Sequence, residues 1–354
     1  MSQTQSQTVV LQSHPLQTVQ LQDIAKSGLL DLKECIVIGL ASTPKTMPSL
    51  LLWDSQGLRN FDAWANDPAY YPKRCEWEIL RNHRHDIANH FPASSVLIEL
   101  GCGNLSKTAC LLAALEHQKR HVRYFALDVS DEALHKNLAI LRRQFIHSKF
   151  VSISGLSGTY DDCAEWLATS AKLPVSNVTF LWLGNSVANM ARDEVSSLMG
   201  QLRLACRNMS AECRFLVSAD CCTDRDRILK AYNPNEGPSR TFLFHGLHHA
   251  NRLLGRPVFN EKDWDAVPKW EEVDHELQYS YVPNKDVKLD IGHGCVEIKR
   301  GEPIAYFMSG KWHPSQMGSI AENAGLAIGK MWMDTRQDYG MKSCSHLFKP
   351  VYQI

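Results

Sequence analysis

The residues with the clearest chemical potential lie between Val96 and Leu115. There an apolar run stops at a Gly-x-Gly pair and a helical pattern follows: VLIELGCGNLSKTACLLAAL. Gly101 and Gly103 permit a tight turn and a close approach of backbone to a ligand. A helix behind them presents free N–H groups, so such a loop suits a nucleotide-like molecule. A dinucleotide fingerprint has a third glycine, and Ser106 stands in its place, which weakens a nicotinamide or flavin reading. No Gly-x-x-x-x-Gly-Lys-Ser/Thr pattern occurs, so a P-loop is out. The form Glu99-x-Gly101-x-Gly103 instead suits S-adenosylmethionine, which has no pyrophosphate. Its amino-acid end needs a tight loop with polar anchors. Its ribose needs an acidic acceptor, and Asp128 stands at the end of the next apolar run. This combination points to a methyltransferase. The alternative at this stage is a structural turn that binds nothing.

These residues need a scaffold, and the surrounding pattern supplies one. Val96–Leu100, Val122–Leu127, Phe150–Ile153, Val178–Leu183 and Arg214–Ser218 read as short buried strands. Between them Leu105–Gln118, a helix capped by Ser130 with Ala133, Leu134, Leu138 and Leu141 inward, Asp161–Ala168 and Arg192–Cys206 read as helices. Alternation of this kind means an α/β fold with a mostly parallel, doubly wound sheet. Its ligand belongs at the carboxyl ends of the strands, here Gly101, Asp128, Gly155–Tyr160 and Gly184–Asn189. From Thr223 to Gly310 the alternation breaks. One helix, Arg240–Leu254, is followed by strand-like LQYSYVP, VKLDI and CVEIKRGEPIAYFMSG. His313–Leu326 reads as a helix, and AIGKMWMD and SHLFKP as a closing pair of strands around a long loop. The expected organisation is a flexible segment 1–20, a first part of a substrate lobe at 21–74, and a sheet domain at 75–222. An insertion at 223–311 completes the substrate lobe, and 312–354 closes the sheet domain.

Composition limits the partners. Lys+Arg and Asp+Glu both number 38, so the net charge is zero and a nucleic-acid substrate is disfavoured. With 44% hydrophobic residues the chain can bury a full core. The 11 cysteines form no Cys-x-x-Cys pair, which fits free thiols in a reducing compartment. The first twenty residues, rich in Gln, Ser and Thr, lack the marks of a secretory signal. No apolar run approaches ~18 residues, so no membrane span is expected. The expectation is a cytoplasmic protein, monomer or homodimer, acting on a small molecule. His245, His248 and His249 sit together, but only His245 and His249 have i,i+4 spacing and no Glu lies between them. No metal is expected.

Several segments carry a resemblance: LLWDSQGLRNFDAW, AYYPKRCEWEIL, IELGCGNLSKTACLL, GLSGTYDDCAEWL, WLGNSVANM, AYNPNEGPSRTFLFHGLHHANRLLG, FNEKDWDAV and FMSGKW. On them the chain resembles the histidine-specific methyltransferase family of ergothioneine biosynthesis. It is nearer to that family's fungal branch, the 4-dimethylallyltryptophan N-methyltransferases of alkaloid pathways. The resemblance implies a Rossmann-like class I methyltransferase sheet that binds S-adenosylmethionine. It also implies a second lobe, from the N-terminal region and the insertion, that holds an amino acid. Gly101 and Lys107 would meet the cofactor's methionine end, with Gly103 and Gly184 in the same site. Asp128 would hold the ribose, and Thr159 and Tyr160 would flank the adenine. Tyr70 would contact the substrate's amine or carboxylate, and Asn189 and Tyr232 would fix the carboxylate. Histidine enzymes carry Glu-x-Ser-x-Lys near the imidazole. Here Phe307 replaces the Glu and Ser309 keeps the Ser. Trp53 stands where bacterial relatives have Tyr, and Asn185 and Ala188 replace a Ser and a Gly common in the branch. The Phe307 change favours an apolar or aromatic side chain on the substrate and Trp53 an aromatic pocket, while Asn185 and Ala188 depart from the dimethylallyltryptophan branch.

Methyl transfer from a sulfonium to an amine is an in-line displacement that needs a neutral amine held behind the methyl. Tyr70 is expected to position that amine and to accept its proton, with a water as relay. Three functions follow: an N-methyltransferase for a tryptophan-like amino acid, one that makes a betaine from histidine or tyrosine, and a non-catalytic cofactor-binding partner.

Overall fold

The computed structural model describes residues 21–25, 31–169, 176–235, 237–292 and 294–346; the segment 1–20 lies outside them. Before the glycine loop come strand β1 (Leu21–Asp23), helix α1 (Leu32–Ala41), strand β2 (Lys45–Thr46) and helices α2 (Ser55–Ala65) and α3 (Tyr71–Asn89). The chain then alternates: β3 (Ser95–Leu100), α4 (Ser106–His117), β4 (Val122–Asp128), α5 (Asp131–Gln144), β5 (Val151–Ser157), α6 (Tyr160–Thr169), β6 (Asn177–Trp182), α7 (Arg192–Asn208) and β7 (Glu212–Asp220). All six residues of β3 are buried, as a central parallel strand flanked by helices on both faces requires. In α5, Leu134, Leu138 and Leu141 form the buried stripe. Asp131 and Glu132 in its first turn and Arg142 and Arg143 in its last complement the helix dipole.

After β7 come α8 (Arg225–Ala231), α9 (Gly237–Leu254), β8 (Trp264–Glu271), β9 (Glu276–Pro283), β10 (Val287–Asp290), β11 (Cys295–Ile298), β12 (Ile304–Gly310), α10 (Pro314–Asn323), β13 (Leu326–Met333) and β14 (Tyr339–His346). The main sheet has the order β1-β5-β4-β3-β6-β7-β14-β13. Its strands are parallel from β1 to β7, and β14 and β13 are antiparallel. Helices α3, α4 and α5 cover one face, and α6, α7 and α10 the other. The chain leaves β3 in one direction and returns to β6 on its other side. That switch opens a crevice at the carboxyl ends. A second sheet, β2-β12-β9-β8, joins a strand from before residue 50 to three from the 223–311 segment.

Several expectations are corrected. The closing strands are β13 and β14, joined by a short turn at 334–338 rather than a long loop. Lys342 and two serines within YGMKSCSH masked the second strand, and residues 347–350 of SHLFKP lie outside the described residues. CVEIKRGEPIAYFMSG is two strands, β11 and β12. Helix α8 and strand β8 were missed. Pro268 argues against a central strand, and β8 tolerates it because it is an edge strand. Strand β1 pairs with β5, so it belongs to the main sheet rather than to the substrate lobe. The 74/75 division falls inside α3. Ser130 occupies the N-cap position of α5, but its hydroxyl does not cap; it pairs with Ser55 Oγ at 2.9 Å.

Candidate active site

Strand β3 runs into the loop at Gly101. The Gly101 and Cys102 N–H groups donate to the Leu127 carbonyl of β4 at 3.0 and 3.1 Å. Gly101 has φ +69°, and a Cβ there would lie 2.7 Å from the Tyr160 hydroxyl, so glycine is required on two counts. Asp128 Oδ2 accepts from the Gly103 N–H at 3.2 Å, and Oδ1 from the Ser130 N–H at 3.1 Å. Burial pushes the Asp128 carboxyl up, and these N–H groups oppose that shift. Across the crevice the Thr159 N–H and hydroxyl both donate to Asp162 Oδ2, at 2.8 and 2.7 Å, fixing the start of α6. The Tyr160 ring there meets Trp182 edge-on with centroids 5.4 Å apart.

A cleft of about 820 Å³ opens between these loops, within the ~300–1,000 Å³ usual for small-molecule sites. Gly101, Gly103, Asp128, Thr159 and Tyr160 line it, together with Trp53 and with Asn189 from the short 3₁₀ turn Ser186–Asn189. Asp161, Asp162, Asp193 and Glu194 line it too, and no Lys, Arg or His is among the described lining residues. Such a field favours a cation. Lys107 and Gly184 are not in this lining. They meet around Glu76 of α3, a buried carboxylate that sequence reasoning missed. Glu76 Oε2 pairs with the Lys107 ammonium, and Oε1 accepts the Gly184 N–H at 2.8 Å and the Ser218 hydroxyl at 2.5 Å. Its signal was there: an acid on the apolar face of α3, among Pro72, Cys75, Ile79 and Leu80. A Cβ on Gly184 would fall 2.9 Å from the Lys107 ammonium.

The other site residues are packed shut. Tyr70, Tyr232, Phe307 and Ser309 are all buried. Trp53 joins them to the cleft: its ring packs on Phe61 at 5.4 Å and Phe242 at 5.1 Å. Trp64 lies 4.9 Å from Tyr70 and 5.2 Å from Tyr232, and Phe307 lies 6.3 Å from Phe242 and 5.8 Å from Tyr279. Beneath this aromatic wall runs a polar chain. The Ser309 hydroxyl donates to the Tyr232 hydroxyl at 3.3 Å, and Lys311 Nζ donates to Ser309 Oγ at 2.7 Å. Lys311 pairs with Asp220 at 3.2 Å, and Tyr71 donates to Asp220 Oδ2 at 2.7 Å. Burial drives the Tyr70 hydroxyl well above its usual value. It is a phenol at neutral pH and can pass a proton on, but it does not stand ready as a phenolate.

Asp54, His245 and His249 gather with ligand atoms within 4.8 Å of one another. Each is already engaged. Asp54 caps α2 through the Gly57 N–H at 2.7 Å and contacts His245 at 2.6 Å and Arg252 at 2.6 Å, while His249 Nδ1 lies 3.0 Å from the Leu51 carbonyl. Burial raises the Asp54 carboxyl, but the His245 bond and the Gly57 N–H outweigh it and hold it well below the usual range. A guanidinium on the carboxylate opposes a divalent ion. The cluster is a clasp that ties α9 to the segment bearing Trp53.

The profile of the family described as "Histidine-specific methyltransferase, SAM-dependent" matches residues 32–346. The chain belongs to this family. It is an S-adenosylmethionine-dependent methyltransferase with a class I sheet. N-methyltransferase benX of Aspergillus terreus is 43% identical over 317 residues, covering 88% of this chain and 87% of that protein. 4-Dimethylallyltryptophan N-methyltransferase easF of Epichloe festucae var. lolii is 29% identical, covering 88% of this chain and 96% of that one. Ergothioneine biosynthesis protein 1 of Neurospora crassa is 33% identical over 73% of this chain, which spans 29% of that protein. The methyltransferase's cleft fits the cofactor. Its Gly-x-Gly loop leaves room for a close approach, Asp128 offers a carboxylate at the rim, and the acidic lining suits a sulfonium. Among the described residues, no helix is long and apolar enough to cross a membrane.

Proposed function

We propose that this methyltransferase transfers methyl to the α-amine of an aromatic, tryptophan-like amino acid, such as 4-dimethylallyltryptophan, in fungal secondary (alkaloid) metabolism. The observation that carries the reading is the aromatic cluster of Trp53, Phe61, Trp64, Tyr70, Tyr232, Phe242 and Phe307. Phe307 stands where an imidazole-binding enzyme places a carboxylate, and an indole gains most from such a wall. The names of the relatives agree with this: benX is an N-methyltransferase, easF a 4-dimethylallyltryptophan N-methyltransferase, and the Neurospora protein belongs to ergothioneine biosynthesis. All 11 cysteines are free thiols, which supports a cytoplasmic setting.

S-adenosylmethionine supplies a methyl on a sulfonium that is already a good leaving group. The chain supplies the rest. Gly101, Gly103, Asp128, Thr159 and Tyr160 would hold the cofactor in the cleft, and Lys107 and Gly184, joined through Glu76 outside its lining, would support its methionine end. Asn189 and Tyr232 hold the substrate carboxylate, and Ser309 and Trp53 shape its side-chain site. Tyr70 orients the amine. Closure of the aromatic wall excludes water, and most of the acceleration comes from fixed proximity. The test is a panel of tryptophan, 4-dimethylallyltryptophan, phenylalanine, tyrosine and histidine with S-adenosylmethionine, followed by product mass. Indole substrates are expected to dominate, and Phe307→Glu is expected to shift kcat/KM at least ~10-fold toward histidine. Preferred turnover of histidine by the unchanged enzyme, or none on any amine, would sink the reading.

A further inference from the structure

An amino acid's amine is mostly ammonium at neutral pH and must lose a proton before it can take a methyl. Tyr70 cannot hold that proton as a resting phenolate, so it has to go elsewhere. The buried polar chain leads somewhere definite. The Tyr70 ring packs on that of Tyr232 with centroids 5.5 Å apart, which brings the two phenols into interaction; Tyr232 then meets Ser309 at 3.3 Å, Ser309 meets Lys311 at 2.7 Å, and Lys311 meets Asp220 at 3.2 Å. Lys311 and Asp220 are both fully buried, and the Lys311 ammonium also lies 4.1 Å from the centre of the Tyr232 ring. Among the described members of this chain, Asp220 is the unprotonated acceptor.

We propose that Asp220, reached through Lys311, Ser309, Tyr232 and Tyr70, is the terminal acceptor of the substrate's ammonium proton. The inference rests on the amine-methylating reading above. Lys311 gives one proton to Asp220; the Ser309 and Tyr232 hydroxyls then turn toward the neutral lysine amine, reversing the resting Lys311-to-Ser309 and Ser309-to-Tyr232 bonds, and its freed lone pair takes the Ser309 proton. Ser309 takes that of Tyr232, Tyr232 that of Tyr70, and Tyr70 that of the substrate. The hydroxyls turn round and keep their protons in number. The substrate ends as a neutral amine and Asp220 as a carboxylic acid, so one positive and one negative charge are cancelled together. The proton returns to water along the same chain once product has left.

The surroundings of Asp220 suit the task. Lys311 faces it from the end of β12, Tyr71 from α3 and Tyr232 from the end of α8. Cys75 of α3, Tyr339 and Lys342 of β14, and the adjoining Cys221 and Cys222 complete its charged and titratable neighbours. Burial raises the Asp220 carboxyl, against the Lys311 charge and the Tyr71 bond, so its basicity exceeds that of an exposed aspartate. The Asn185 side chain fixes both ends of the segment: its Oδ1 accepts from the Asp220 N–H at 2.8 Å, and its Nδ2 donates to Ser309 Oγ at 3.3 Å.

The test is the pH–rate profile of the full chain with saturating S-adenosylmethionine and the best amine of the panel. Two variants are compared: Asp220→Asn, which removes the acceptor, and Ser309→Ala, which breaks the chain and leaves the buried ion pair intact. The expected result is a rate deficit of ~100-fold near neutral pH that shrinks about tenfold per pH unit as solution supplies free amine. A structural role would lower both variants by the same factor at every pH. Parallel profiles for Ser309→Ala and the unchanged enzyme, or a pH-independent deficit, would overturn the relay alone. Absence of amine turnover in the unchanged enzyme would overturn the function together with it.

Discussion

The two halves of the proposed site, one for the cofactor and one for the substrate, are built in opposite ways. The cofactor half is backbone: turns at the ends of β3, β4 and β5, with Gly101 at φ +69° and N–H groups closing on Asp128, around an open cleft of about 820 Å³. The substrate half is side chain. Trp53, Trp64, Tyr70, Tyr232, Phe242 and Phe307 come from five separate stretches and pack against one another with the site shut. A pre-formed backbone cradle costs little to occupy. For the proposed substrate a closed aromatic wall would have to part and pack again around it, which would concentrate discrimination there.

The sharpest way to break this contrast is to place a side chain in the cradle. Gly101→Val imposes an unfavourable φ and drives atoms at the Tyr160 hydroxyl. Affinity for S-adenosylhomocysteine is expected to fall at least ~100-fold, about 3 kcal/mol, while cooperative thermal unfolding persists. Calorimetric titration reads the first and a thermal melt the second. Undiminished binding would mean that the cradle is more yielding than its geometry indicates.

The same contrast explains what could be read without coordinates. A glycine pair after an apolar run, an acid at the end of the next run, and strand–helix alternation are local patterns, so the main sheet and Gly101, Gly103 and Asp128 were legible. The aromatic wall is assembled from positions as far apart in the chain as Trp53 and Phe307, and spacing says nothing about such meetings; Trp53, Tyr70, Tyr232 and Phe307 were reached through family resemblance. Phe61, Trp64 and Phe242 were missed because an aromatic on an amphipathic helix looks like ordinary core. Glu76 and Asp220 were missed because each is a single acid whose partners, Lys107 and Lys311, lie far along the chain.

Buried carboxylates sharpen the comparison. In the substrate half Asp220 has a buried lysine. Under the cofactor loop Glu99 is satisfied instead by hydroxyls: Thr108 reaches Oε1 and Oε2 at 2.8 and 2.7 Å, and Tyr124 also donates. Burial pushes the Glu99 carboxyl up to about 7, against those hydrogen bonds. A folded-state value above the unfolded one means that the folded protein holds the proton more tightly. The stability this group gives is complete below the ordinary value of 4.5 and is lost as pH rises through about 7. Between about pH 5 and about pH 8 the unchanged protein is expected to lose roughly 2–3 kcal/mol relative to Glu99→Gln. Urea unfolding of both proteins at the two pH values measures it. An equal change in the two would show that Glu99 does not titrate in this window.

The smallest expected effect lies where the halves touch. Ser55, at the start of α2, and Ser130, at the start of α5, share a hydrogen bond of 2.9 Å. Ser130 sits where a capping serine belongs, yet its hydroxyl is turned to the other lobe, and Asp128 Oδ1 takes its N–H instead. If the hydroxyl only bridges, Ser130→Ala removes one neutral, half-buried hydrogen bond, about 0.5–1 kcal/mol of stability. Ser55→Ala is expected to cost the same, and the double variant no more than either alone, because both remove one bond. Cofactor affinity is expected to stay within about twofold, since the Ser130 N–H that steadies Asp128 survives the change. A double variant whose cost equals the sum of the two singles would show that the serines act separately. A large loss of cofactor affinity in Ser55→Ala, a residue outside the cradle, would show that the wall and the cradle are one coupled unit.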